Sequence, residues 1–133
     1  METSLKSIAV PRLRERGFQG SFPHFRRIME NRIDLLTFQF YSSGGSFVAE
    51  IGTRGPEGTR FSSPSKSKVS EVASRCRFRL GAGDPGTDHW FKFGLPNYES
   101  GHDVARSQSY YDAIAEEVAM LITTQGESWW APL

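Results

Sequence analysis

Three stretches of period-two alternation follow one another closely between residues 22 and 53, and that order restricts the fold more than any other feature of the chain. The segments at about 22–29, 33–41 and 47–53 are separated only by Glu30-Asn31-Arg32 and Ser42-Ser43-Gly44-Gly45-Ser46, stretches short enough for hairpins. Parallel neighbours need a crossover of a dozen or more residues, so strands joined this tightly form an antiparallel meander. Gly44-Gly45 supplies the positive φ that a tight turn demands. The middle segment is apolar on both faces, with Ile33, Leu35, Thr37, Gln39 and Tyr41 on one and Leu36, Phe38 and Phe40 on the other. This predicts a central strand covered on one side by helix.

Helical periodicity brackets the meander. Over 5–16, Leu5, Ile8, Ala9 and Leu13 recur at helical spacing and Gly17 follows as a left-handed terminator. Pro11 predicts either a kink or a second segment starting there. Over 109–125, Tyr111, Ile114, Ala115, Val118, Leu121 and Ile122 form one stripe; Ser109 is the expected N-cap and Gly126 the expected terminator. Between meander and last helix, the Gly-, Pro- and Ser-rich stretch 55–69 reads as a long surface loop. Residues 75–80 alternate Arg75, Arg77 and Arg79 against Cys76, Phe78 and Leu80, and 89–93 is expected to return as their hairpin partner. Strands do not alternate with helices, so the prediction is one α+β domain over 1–133, an open antiparallel sheet of about five strands with N-terminal and C-terminal helices packed on it.

A chain of 133 residues can bury a sufficient core without metal or disulfide staples. Its formal charge of +1 argues against a dedicated nucleic-acid binder or a polybasic membrane protein. Cys76 is the only cysteine, which excludes an intramolecular disulfide and a cysteine zinc cage and fits a reducing compartment. No apolar run of signal-peptide or membrane-spanning length is present, and the expectation is a cytoplasmic protein without membrane contact.

The most distinctive candidate surface is Arg75, Arg77 and Arg79, three like charges on one strand face that repel unless something negative lies opposite. Neighbouring carboxylates and solvent would answer them; so would an acidic partner surface or a phosphate, which guanidinium groups grip bidentately. Arg26, Arg27 and Lys92 would extend the patch if their strands adjoin. Trp129 and Trp130 either pack back on the sheet or anchor a partner or a second copy. Asp88-His89 and His102-Asp103 are two acid–histidine pairs beside loops; brought together, they would make a general-base or two-histidine, one-carboxylate site. No H-x-H or H-E-x-x-H spacing supports a metal, so no metal or other cofactor is expected. Gly81-Ala82-Gly83-Asp84-Pro85-Gly86 matches a dinucleotide fingerprint, but the aromatic run at 90–93 places a strand, not a helix, after it, and a hairpin loop is the better reading. Cys76, in step with Phe78 and Leu80, reads as a core thiol.

Pro11-x-Leu13-x-x-x-Gly17-Phe18, Phe25-Arg26, Thr37-Phe38-Gln39, Phe47-x-x-x-Ile51-Gly52, Arg77-Phe78-Arg79-Leu80-Gly81 and Trp90-Phe91 together resemble a bacterial domain-of-unknown-function family, the one numbered four-three-zero-four. These motifs specify a fold more than a site, and the family brings no established activity or catalytic residues. Its members often occur where small cytoplasmic proteins neutralise toxins from neighbouring cells, so the resemblance implies an immunity-like interaction protein.

Without a coherent acid–base, nucleophile or metal set, the expected function is noncatalytic binding of a protein partner through Arg75, Arg77, Arg79, Trp129 and Trp130. The alternative is a small metal- or histidine-dependent hydrolase acting on a phosphate-containing substrate through His89, His102, Asp88 and Asp103. A nucleic-acid partner is disfavoured, and the oligomeric state, a dimer included, is left open.

Overall fold

A computed structural model describes residues 1–58, 62–84, 86–102 and 106–131, side chains at 100–102 excepted. Among the described residues, six strands form one antiparallel sheet: β1 (Gln19–Ser21), β2 (His24–Ile28), β3 (Ile33–Phe40), β4 (Ser46–Arg54), β5 (Arg77–Arg79) and β6 (Phe91–Lys92). The order is β1-β2-β3-β4-β5, with β6 also on β4. The predicted meander is β2-β3-β4, in register from Ile28 opposite Ile33 to Phe40 opposite Phe47. Gly44 and Gly45, both at φ +85, make the β3–β4 turn, and a Cβ on Gly45 would stand 2.7 Å from the Leu95 carbonyl carbon.

Helix α1 (residues 2–15) and helix α2 (residues 108–130) cover one face of this sheet. α1 joins Glu2–Ser4, a π-helical turn at Leu5–Ala9 and Val10–Glu15 without a break. The Val10 N–H reaches back to the Leu5 carbonyl, so the wide turn shifts the bonding register where Pro11 has no N–H to give. The helix ends as predicted: Gly17 sits at φ +90, its N–H donates to Arg14 O, and the Phe18 N–H donates to Leu13 O, satisfying the last carbonyls. In α2 the cap is Ser107, not Ser109, with the Tyr110 N–H donating to its hydroxyl. Gly126 does not terminate α2. The chain passes through a π-helical turn at Ile122–Gly126 into Glu127–Trp130, and a Cβ on Gly126 would stand 3.1 Å from the Trp130 ring and 3.6 Å from Leu80. Here glycine provides room for a buried tryptophan rather than a left-handed stop.

Between helices and sheet lies the main core, built from Leu5, Leu13, Phe18, Phe25, Leu36, Phe38, Phe47, Ile51, Phe78, Val118, Ile122 and Trp130. The opposite, outer face carries a small second cluster of Ile33, Leu35, Val69 and Val72. Val69 closes the predicted loop and Val72 follows it, and Ser67 within that loop is fully buried, its hydroxyl donating to Ser63 O. Short 3-10 turns at Pro64–Lys66 and Val69–Glu71 lay this stretch onto the sheet. A stretch expected to be a surface loop therefore packs in part on the outer face, over Ile33 and Leu35.

Two strand predictions need correction. Residues 75–80 are not one strand: Ser74–Cys76 is a 3-10 turn, closed by the Cys76 N–H on Ala73 O, and alternation begins only at Arg77. Cys76 consequently packs on the outer cluster, away from Phe78 and Leu80. Nor do β5 and β6 form a hairpin. Both pair with the far edge of β4, β5 at Glu50, Ile51 and Gly52 and β6 at Ser46 and Phe47, so they lie end to end.

Candidate functional site

Register sorts the charged side chains between the two faces. Arg27 opposite Asp34 points to the helix side, whereas His24, Arg26, Glu50, Arg77 and Arg79 share the outer face. Of the residues proposed to extend the arginine patch, Arg26 and Lys92 thus lie on the correct face and Arg27 does not. Arg26 is also three strands from β5, so it makes a region of its own.

The helix-side charges form a closed network. Arg27 donates through Nε and Nη2 to Asp34 Oδ2 at 2.9 and 2.7 Å, and through Nη2 and Nη1 to the two Glu127 oxygens at 2.6 and 3.0 Å. Arg32 Nε donates to Asp34 Oδ1 at 2.8 Å and Arg16 Nη1 to Glu127 Oε2 at 3.0 Å. The Arg27 guanidinium lies 4.7 Å from the Phe18 ring centroid, beneath Trp130. Burial alone would lower the Arg27 pKa, but the hydrogen bonds to Glu127 and Asp34 outweigh it and hold the pKa above its ordinary value. The Arg27 hydrogen bond in turn holds Glu127 below the usual carboxylate range, against its partial burial. Asp34, wholly buried inside a hydrophobic strand, joins β3 to β2 through Arg27, which in turn holds Glu127 of α2. This arrangement fixes elements to one another, and every acceptor in it is occupied by an arginine of the same chain.

On the outer face the predicted arginine surface is divided. Arg75 leaves the strand for the Ser74–Cys76 turn and is exposed. Arg77 and Arg79 flank Glu50, with Arg77 Nη1 3.6 Å from Oε1 and Arg79 Nε 3.2 Å from Oε2. Arg77 also donates to the Val72 and Ser70 carbonyls at 2.9 and 3.0 Å. Arg79 lies across Trp90 and within 3.3 Å of the exposed Asp88 carboxylate, although its Nη1 is not aligned for a hydrogen bond there. The two tryptophans also separate. Trp130 is only 3% exposed, packs on Phe18 and donates Nε1–H to Gly52 O at 3.0 Å, so it belongs to the core and offers no anchor. Trp129 is half-buried and stacked on Phe78, the two lining a groove with Gln125, Ser128 and Ala131. β5 thus presents arginines on one side of an edge strand and an aromatic pair on the other.

The acid–histidine residues are placed as follows. The His89 ring packs edge-on to Phe91 at 4.8 Å, against the Gly81 backbone, while Asp88 faces Arg79. His102 closes the 3-10 turn Asn97–His102, its side chain lies outside the described residues, and so does Asp103. Among the described residues no three His, Cys, Asp or Glu side chains gather as metal ligands would. The glycine loop after β5 opens no helix. The Gly81 N–H donates to Gln125 Oε1 at 2.6 Å and Gln125 Nε2 donates to Ala82 O at 2.9 Å, so the loop is fastened to α2 by an amide side chain.

Sequence reasoning passed over one cationic groove, lined by Arg26, Ser62, Lys66, Lys68 and Glu71 where the 62–71 segment crosses β2. The signal was the alternation of His24 with Arg26, which already set both on the face opposite Phe25. No helix among the described residues is long and apolar enough to cross a membrane. No curated protein and no solved structure matches the chain. The model of the family described as "Domain of unknown function (DUF4304)" matches residues 9–131, nearly the whole of the fold just described, and the chain belongs to that family.

Proposed function

We propose that this protein acts without covalent chemistry, by binding a protein partner along the β5 edge, with Arg75, Arg77, Arg79 and Trp129 as the contacting side chains. The observation that carries this reading is the composition of that edge: arginines on the outer side and the half-buried Trp129, stacked on Phe78 at 6.3 Å, on the other. Arginine and tryptophan contribute most per residue at protein interfaces, because both combine large contact area with directed polar groups. The excess of guanidinium groups over Glu50 and Asp88 favours a partner surface rich in carboxylates. Neutralisation of a toxin in the cytoplasm of a bacterium is the specific form of this reading that the family resemblance implies.

Affinity capture from the cells that make the protein, followed by reconstitution of the captured protein and this chain from purified material, tests the proposal. A stoichiometric complex that Trp129→Ser or Arg75→Glu weakens at least about tenfold, with unchanged circular dichroism, is the expected result. Both variants alter exposed or half-buried side chains, so loss of the fold does not explain that outcome. Recovery of no partner across several growth states, or a complex indifferent to both substitutions, overturns the proposal.

A further inference from the structure

The groove between β2 and the 62–71 segment has a chemistry that the partner-binding edge does not use. Its floor is Arg26, whose Nε donates to Ser67 O at 2.9 Å. That bond fixes the guanidinium plane and leaves both Nη nitrogens without a hydrogen-bond acceptor among the described residues. Lys66 and Lys68, one residue apart on the covering segment, are exposed, and neither forms an ion pair with a described carboxylate. The one carboxylate in the groove, Glu71, is already occupied: it accepts the Ser62 hydroxyl at 2.8 and 2.9 Å and the Lys68 backbone N–H at 2.9 Å. Three cations against one acid leave an excess of two positive charges.

The geometry points to a binding site for a phosphate dianion, free or as the phosphoryl group of a small molecule, held by Arg26 from the sheet and by Lys66 and Lys68 from the segment above it. A planar guanidinium anchored at Nε presents its remaining N–H groups in the fork that oxyanions fit, and two flexible ammonium groups close over a tetrahedral ligand from the other side. The surroundings respond to the unmatched charge. His24, on the same face two residues before Arg26, has its Nδ1 3.0 Å from Thr37 Oγ1. Its pKa is depressed first by burial and then by Lys68 and Arg26, with Glu71 opposing only in part. A bound dianion would reverse the electrostatic part of that depression, which makes His24 a built-in reporter.

This site goes beyond the partner-binding reading and stands apart from it, since β3 and β4 separate the groove from β5. Titration of the isotope-labelled full chain with inorganic phosphate, at constant ionic strength set with chloride, should give saturable NMR shifts at Arg26 Nε–H and at the amides of Lys66 and Lys68. The midpoint expected is in the low millimolar range or below, and the His24 pKa should rise on saturation. Lys68→Gln, a substitution at an exposed position, should weaken phosphate at least about tenfold and raise the His24 pKa in chloride alone. An adenosine monophosphate arm distinguishes the sources: tighter binding than inorganic phosphate marks a phosphoryl ligand carrying an organic group, and equal binding marks the free anion. Absence of a saturable response, an equal response to acetate, or full binding by the Lys66→Gln, Lys68→Gln double variant overturns the assignment. None of those results bears on capture of a partner at Trp129.

Discussion

The two faces of the sheet are made by the same strands, alternate residue by alternate residue, and yet they are held by different means. Leu35 and Leu36 are neighbours on β3 and both are fully buried, one beneath the 62–76 segment and the other beneath two helices. Leu36 lies in a core of close aromatic contacts, such as Phe38 against Phe25 at 6.1 Å and Phe47 stacked on Phe91 at 5.1 Å. Leu35 has Ile33, Val69, Val72 and Cys76 around it. Charge follows the same division. On the helix side guanidinium and carboxylate groups saturate one another, whereas on the outer side the cations exceed what Glu50, Glu71 and Asp88 answer. A face closed by regular helices needs its polar groups satisfied internally, and a face closed by an irregular segment can leave them available to a ligand.

The strongest way to break the comparison is to open the helix-side network. Asp34→Ala leaves Arg27 and Arg32 without their shared carboxylate in a buried place, and should cost about 3–5 kcal/mol in urea unfolding. A cost below about 1 kcal/mol would mean that water enters this site and that it is no more closed than the outer face. Next in size is the leucine pair: Leu36→Ala should cost about 3–5 kcal/mol, and Leu35→Ala about 2–3 because the small outer cluster can collapse around the gap. Equal costs would show the outer segment to be as rigid as the helices. Gly45→Ala, which imposes a side chain at φ +85 against the Leu95 backbone, should cost about 1–3 kcal/mol and loosen both faces together. Glu50→Gln, on partly buried pairs with Arg77 and Arg79 that stand at 3.6 and 3.2 Å and stay open to water, should change stability by about 1 kcal/mol.

Titration separates the faces as well. The Glu127 pKa lies below its unfolded value of 4.5, so its contribution is complete above that value and disappears as pH falls through the lower folded one. The His24 pKa lies below 6.5, so the folded state resists protonation there and loses stability as pH falls from 6.5 toward that depressed value. Urea midpoints measured from about pH 8 to pH 3 should therefore decline in two stages, with Lys68→Gln diminishing only the first.

The helix side was legible in the sequence because one periodicity sufficed for each element. The 3.6-residue stripe of Ala115, Val118 and Ile122 and the two-residue alternation of Leu36, Phe38 and Phe40 each name a buried face without reference to a partner. Asp34 was not legible there: Arg32 stands two residues away, but Arg27 becomes its neighbour only through strand pairing, and Glu127 joins the network only by the approach of α2. The outer side was less legible for a related reason. Val69 and Val72 follow a polar stretch without period, and only the 3-10 turns that set them three apart bring both onto Ile33 and Leu35. Arg75 alternates in step with Arg77 and Arg79, and alternation carries no mark of where a strand begins; the Ser74–Cys76 turn removes it. The groove at Arg26 likewise joins residues some forty positions apart, a distance no local pattern spans.

The split far edge of β4 sets how this molecule breathes. β3 is bonded to β4 along its whole length, while β5 and β6 hold three and two residues of it. Amide hydrogens at the β3–β4 seam should exchange only when the entire domain opens, and those of β5 and β6 through separate, smaller fluctuations. The edge on which Trp129 and the arginines sit would then be the part of the sheet that a visitor can adjust without disturbing the rest.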